Sequence, residues 1–259
     1  MSAIYKLKII LSLFSLLIAT SLLAQDTKMV SIKGGTFVPL YGATNKKPVA
    51  VASFSLDVYP VTNAQYLVFV KKYPQYSRSK MKGLFAEKSY LSHWKNDFDY
   101  GDNKSDAPAT NVSWFAAKNY CECQGKRLPT MDEWEYVGMA DEKRTDARTK
   151  EEFNKFILAW YEKPKTYVNS VGKNFKNYWG VYDMHGLVWE WTSDFNSIFL
   201  SGESRKDKDT DKNLFCGSGS VNATDLMNYA AFMRYGFRAS LKARYTTRNL
   251  GFRCAKNLK

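Results

Sequence analysis

The sequence predicts an α+β domain with low regular secondary structure. Three observations predict it: short β-type runs broken by Gly and Pro near the start, three helix starts each marked by a capping residue, and long connecting stretches rich in Asn, Asp, Lys and Tyr. The connections are too rich in Trp and Tyr to read as disordered, because disordered segments are poor in aromatics, so they are expected to be ordered loops.

The elements follow in order. Lys6 and Lys8 precede an apolar run from Ile9 to Leu23, and Ala24 is followed at once by the polar Gln25-Asp26-Thr27. That is the plan of a cleavable secretory leader, predicted over residues 1–24, with the apolar stretch shorter than the roughly 20 residues a spanning helix needs. The predicted folded domain covers 25–259. A periplasmic or secreted protein with no integral membrane segment after cleavage is the expectation.

Strand-type runs follow at Met29 to Ile32, Thr36 to Leu40 and Val49 to Leu56, punctuated by Gly34-Gly35 and Lys47-Pro48. The first helix is predicted from Thr62, with Gln65 in the capping-box position and Tyr66, Phe69 and Val70 at helical spacing. A second helix opens at Ser113, carries Trp114, Ala117, Tyr120 and Cys121 on one face, and stops before Gly125. A third begins at Thr130, with Pro129 before it and Glu133 completing a capping box. Tyr76 to Thr110, Tyr167 to Asp183 and Ser193 to Leu214 read as irregular. No internal repeat or low-complexity segment is evident.

The formal net charge of +13 raises a nucleic-acid reading, which the sequence then disfavours. An exported chain seldom meets nucleic acid. The densest basic cluster, Arg205 to Lys212, alternates with Asp207, Asp209 and Asp211, the pattern of a solvated loop. Attraction to an acidic partner or surface stays open.

All four cysteines, Cys121, Cys123, Cys216 and Cys254, lie past the leader, and an even number in an exported protein reads first as disulfides, with three pairings open. A structural zinc site is disfavoured, since Cys121-Glu122-Cys123 has one residue between its thiols and no second pair to match.

Several landmarks then occur in a fixed order. They are Met29 to Phe37 with its Gly-Gly turn, Tyr59-Pro-Val-Thr-Asn-Ala-Gln-Tyr66, Asn111-Val-Ser-Trp114, Gly125-Lys-Arg-Leu-Pro-Thr130, Glu133-Trp-Glu-Tyr136, Tyr182-Asp-Met-His-Gly186, Val188-Trp-Glu-Trp191 and Asn249-Leu-Gly-Phe-Arg253-Cys254. Together, from about Met29 to Cys254, they resemble the sulfatase-modifying factor family, which includes the formylglycine-generating enzymes. The resemblance implies that family's C-type-lectin-like fold, in agreement with the loop-heavy reading. Physically, Trp114, Trp134, Trp189 and Trp191 are expected as core anchors, and Arg127 and Arg253 as ties between loops.

The resemblance also supplies a test of chemistry. The enzymes oxidise a substrate cysteine with oxygen on a copper ion held by two C-terminal cysteines, and soft thiolates suit Cu(I). Those cysteines would fall between about Ala223 and Ala231, a stretch that contains no Cys. Cys121 and Cys254 match a family disulfide, which leaves Cys123 and Cys216 for a second bridge or, as the rival reading, a displaced redox or copper site. Iron chemistry of the kind another branch performs is disfavoured, because His93 and His185 are the only histidines and lie far apart in sequence. His185 is expected to order its loop, and Met227 and Met233 are expected in the core. Copper and iron are therefore not expected as cofactors. The family's calcium loop matches Asp183 to Glu190, with Asp183 and Glu190 as carboxylate ligands and the carbonyls of Gly186 and Val188 beside them, and calcium needs such hard oxygens. Leu187 departs from the usual Asn.

Two functions compete. The first is an accessory protein without the thiol copper site, holding an exported protein partner on the lectin-like scaffold. The tract from Cys216 through Tyr229 and Arg234 to Arg248 is similar to members found beside copper nitrite reductase in denitrification clusters. The second is a divergent metal-dependent oxidoreductase acting on an exported protein or small molecule, with a cleft formed by Asn222, Asp225, Asn228, Tyr229, Arg234 and Arg238. The competing structural reading of that tract is a loop with Arg234 and Arg238 in ion pairs.

Overall fold

The computed structural model describes residues 27–39, 48–195 and 226–258, without the side chains of 226–228. The leader and its cleavage site, Cys216, Asn222 and Asp225 lie outside the described residues.

Strands β1 (Met29–Ile32), β2 (Gly35–Phe37), β3 (Val49–Val51) and β4 (Phe54–Asp57) come first. The run expected from Val49 to Leu56 is two strands rather than one. β3 pairs antiparallel with β2, whereas β4 pairs antiparallel with β1, so the chain changes sheets at Ala52-Ser53. Gly34 makes that crossing feasible: a Cβ there would lie 2.4 Å from the Val51 carbonyl oxygen, so only glycine fits.

Helix α1 (Asn63–Lys72) carries the predicted capping box between Thr62 and Gln65. Helix α2 (Trp114–Cys123) is capped by Ser113, and Gly125 takes a φ of +66° just past its end. Helix α3 (Met131–Gly138) carries the second capping box, Thr130 with Glu133. Helix α4 (Glu151–Glu162) was not foreseen: Lys150 precedes it without a side-chain cap, so the sequence gives no start signal. After β5 (Trp189–Glu190) comes α5 (Leu226–Ser240), where a loop was expected. Its buried face includes Arg234 and Arg238, and burying charged side chains hides the helical period from a count of apolar residues.

Strand β6 (Leu250–Gly251) pairs parallel with β5, and β7 (Ala255–Asn257) completes the sheet in the order β1-β4-β7. The two ends of the fold therefore meet. A disulfide between Cys121 and Cys254 fixes α2 to the segment entering β7 across 133 residues. In the chain-entropy model a loop that long stabilises by about 4 to 5 kcal/mol.

The largest core gathers Tyr66, Phe69, Trp94, Tyr120, Trp191 and Phe252. Trp94 and Tyr90 come from the irregular stretch after Tyr76, and the Tyr90 hydroxyl bonds both the Tyr66 hydroxyl and the Tyr76 carbonyl. Aromatic anchors with satisfied polar tips thus order a loop that lacks strands and helices. A second core joins β1 and β4 to Trp134, Val137 and Met184, and a third packs Phe153 and Ile157 of α4 against Ala230 of α5. Among the described residues no helix is long and apolar enough to cross a membrane.

Candidate functional site

The tract in which a thiol copper pair was sought, Ala223 to Ala231, runs into α5, and the arginines that follow it on that helix are engaged in ion pairs. Arg234 donates from Nε to both carboxylate oxygens of Glu135, at 3.0 and 3.1 Å, and from Nη2 to Oε2 at 2.8 Å. Arg238 donates from Nη1 to Oε1 of Glu135 at 2.6 Å and places its guanidinium 4.6 Å from the Trp134 ring centroid. All three charged side chains are buried. Burial alone would raise the Glu135 carboxyl, but the two guanidiniums outweigh it and hold it at about 2. Burial likewise opposes the charge on Arg234, and Glu135 and Tyr161 more than compensate. Arg234 and Arg238 are thus held in ion pairs, on a helix rather than a loop. Of the other nominated cleft residues, Tyr229 is half-buried, and Asn228 belongs to α5 with its side chain outside the described residues. A small cavity beside Glu135 and Arg234 has a volume of about 10 Å³, room for one water.

The motif around α3 is engaged in the same way. Glu133 receives both terminal nitrogens of Arg127, at 2.7 and 2.6 Å. The Trp134 ring nitrogen donates to Oε2 of Glu190 at 2.9 Å. Glu190 is gripped by Arg253, from Nε at 2.8 Å and from Nη2 at 2.8 Å, while Arg253 also donates to the carbonyls of Asp57, Val58 and Tyr182. Arg127 and Arg253 tie loops together as expected.

Of the oxygens nominated for calcium, the carboxylates of Asp183 and Glu190 are already engaged by the protein, while the carbonyls of Gly186 and Val188 lie between them in the chain. Glu190 already accepts from a guanidinium and an indole. Asp183, in the left-handed region at φ +58°, accepts from the backbone of Gly172 and Asn174 and from the Asn174 side chain. Both carboxylates aim at protein N–H groups, and Glu190 already has its counter-charge in Arg253. Among the described residues no group of three or more His, Cys, Asp or Glu side chains could hold a metal ion.

His185 is buried, donates from Nε2 to the Gly138 carbonyl at 2.8 Å, and meets Trp134 and Phe153 edge-on. Burial and the nearby arginines push it down to about 3, so it is a neutral, loop-ordering residue. Cys123 is exposed and has no disulfide partner among the described residues, Cys216 lying outside them.

Beside this core runs a groove of about 390 Å³ that the sequence did not reveal. Its walls are Trp160, Tyr161, Tyr167, Trp189 and Arg248, drawn from α4, the segment after it, β5 and the approach to β6. Trp189 is only half-buried: its ring stacks on Tyr161 at 5.0 Å and lies tilted against Phe237 at 4.6 Å, so it serves as a groove wall as well as an anchor. Tyr167 and Arg248 are 81 residues apart in the chain and meet only when the loops close, which is why no spacing signalled the groove.

The loop-rich α+β core, closed by a disulfide and by buried arginine forks, is a fold of the C-type-lectin-like kind. By the match of residues 17–258 to the sulfatase-modifying factor enzyme 1-like domain, the chain belongs to that family. It is 26% identical to the inactive C-alpha-formylglycine-generating enzyme 2 of Mus musculus, over 90% of this chain and 87% of that protein. It is also 26% identical to the formylglycine-generating enzyme of Bos taurus, over 90% of this chain and 75% of that one. Among solved structures, PvdO from Pseudomonas aeruginosa is similar at 18% identity and a TM-score of 0.48, covering 89% of this chain and 94% of PvdO.

Proposed function

We propose that this protein is a non-catalytic member of its family, exported and acting as an accessory scaffold that holds a partner protein. The observation that carries the reading is the absence of any cysteine between Ala223 and Ala231, where the enzymes are expected to hold copper, and the arginines that follow on α5, Arg234 and Arg238, are held in buried ion pairs with Glu135. Similarity to a relative named as inactive supports the same reading. Export to the periplasm or beyond rests on the leader, and a setting beside a copper nitrite reductase rests on the tract from Cys216 to Arg248.

The test is incubation of the purified protein with Cu(I), oxygen and a cysteine-containing peptide, read by mass spectrometry. No loss of the thiol to an aldehyde is expected. Turnover dependent on Cys123 would overturn the reading in favour of a divergent oxidoreductase, the alternative that the exposed thiol of Cys123 keeps in play.

A further inference from the structure

We propose that the groove beside Trp189 binds a carboxylate-bearing ligand with a planar apolar body, its carboxylate on Arg248 and its body against the rings of Tyr167 and Trp189. This deepens the partner-holding reading by naming what the scaffold recognises.

The size is right: about 390 Å³ falls within the roughly 300 to 1,000 Å³ of small-ligand sites. The aromatic wall is preorganised, since Trp189 packs against both Tyr161 and Phe237 and has little freedom left to lose on binding. The cation is preorganised too. Arg248 is half-buried, lies 4.9 Å from the Tyr167 ring centroid, and donates to Thr110 Oγ1 at 3.1 Å and Asn103 Oδ1 at 2.7 Å. Those bonds fix the guanidinium plane while using two of its roughly five N–H donors.

Charge completes the case. Arg248, Lys163 and Lys165 line the groove against a single carboxylate, Glu162, and among the described residues none of the three cations has an acidic group within ion-pair distance. The contrast with Arg127, Arg234, Arg238 and Arg253 is direct: each of those half-buried or buried arginines has its carboxylate. Burial lowers the pKa of Arg248, the cost that an incoming anion would relieve. A planar fork beside an aromatic face suits a carboxylate, bound bidentately, better than a spherical anion.

The experiment compares N-acetyl-tryptophan with its uncharged amide, and with an amidated peptide containing Asp-Trp, by calorimetric titration of the purified protein. The acid is expected to bind at least tenfold more tightly than the amide, and Arg248→Gln to remove that difference. Because Arg248 also supports its neighbours, Lys163→Gln with Lys165→Gln, both exposed, gives a second variant, expected to weaken the acid two- to threefold and flatten its salt dependence. Tighter binding of the peptide than of the free acid assigns the groove to a segment of a partner protein, and the reverse assigns it to a free organic acid; either upholds the carboxylate site. Equal affinity for acid and amide, or no binding of acid or peptide, overturns it. The titration reads neither copper binding nor thiol oxidation, so this inference and the scaffold reading fail separately.

Discussion

Arg253 closes on Glu190 with two nitrogens at 2.8 Å each, and the side chains of both are fully buried. Glu190 comes from β5 and Arg253 from the turn between β6 and β7, so this pair locks the C-terminal end of the chain to the loop that begins at Asp183. With the Glu135 cluster, which joins α3 to α5, it ties together parts of the chain that are distant in sequence.

Removing one partner of such a pair leaves an uncompensated charge in the core. Glu135→Gln leaves Arg234 and Arg238 buried without an anion and is expected to destabilise by about 3 to 5 kcal/mol. Urea unfolding followed by tryptophan fluorescence measures it.

Acid should weaken the fold over a defined window. His185 is held at about 3 against an unfolded value of 6.5, and Glu135 at about 2 against 4.5. His93, likewise held at about 3 by burial and by Arg248 and Arg78, adds to this. All three pKa values are depressed, so below each unfolded value the unfolded chain takes up a proton that the folded chain refuses. Stability is therefore full above about pH 6.5 and falls toward pH 3, by up to about 1.4 kcal/mol per pH unit for each such group. Melting temperatures between pH 7 and pH 4 check the sign, which a rise on acidification would reverse.

The Cys121–Cys254 bridge should matter for stability alone. Cys121→Ser with Cys254→Ser is expected to lower stability by about 4 kcal/mol while leaving ligand affinity at the Trp189 groove unchanged. Denaturant midpoints and the titration above separate the two effects.

Calcium should leave the protein unmoved. With Asp183 and Glu190 engaged by N–H donors, neither added calcium nor a chelator is expected to shift the melting temperature. A calcium-dependent rise would mean that Glu190 turns from Arg253 toward the ion.

Much of the fold was legible because its start signals are local. Thr62 with Gln65, Ser113, and Thr130 with Glu133 each set a helix within four residues, and the structure keeps all three caps. Helix α4 lacks a cap, and α5 hides its period behind Arg234 and Arg238, so both escaped. The site was less legible for the same reason. Arg234 and Glu135 are 99 residues apart, and Arg248 meets Thr110 across 138, so which arginine is paired and which is not emerges only when the loops close.

The central claim, that the scaffold lacks a thiol copper centre, is tested most directly by equilibrium titration with Cu(I) against a competing chelator. No stoichiometric binding is predicted, in the native protein and in a Cys123→Ser variant alike. One tightly held copper per chain, lost on Cys123→Ser, would contradict it.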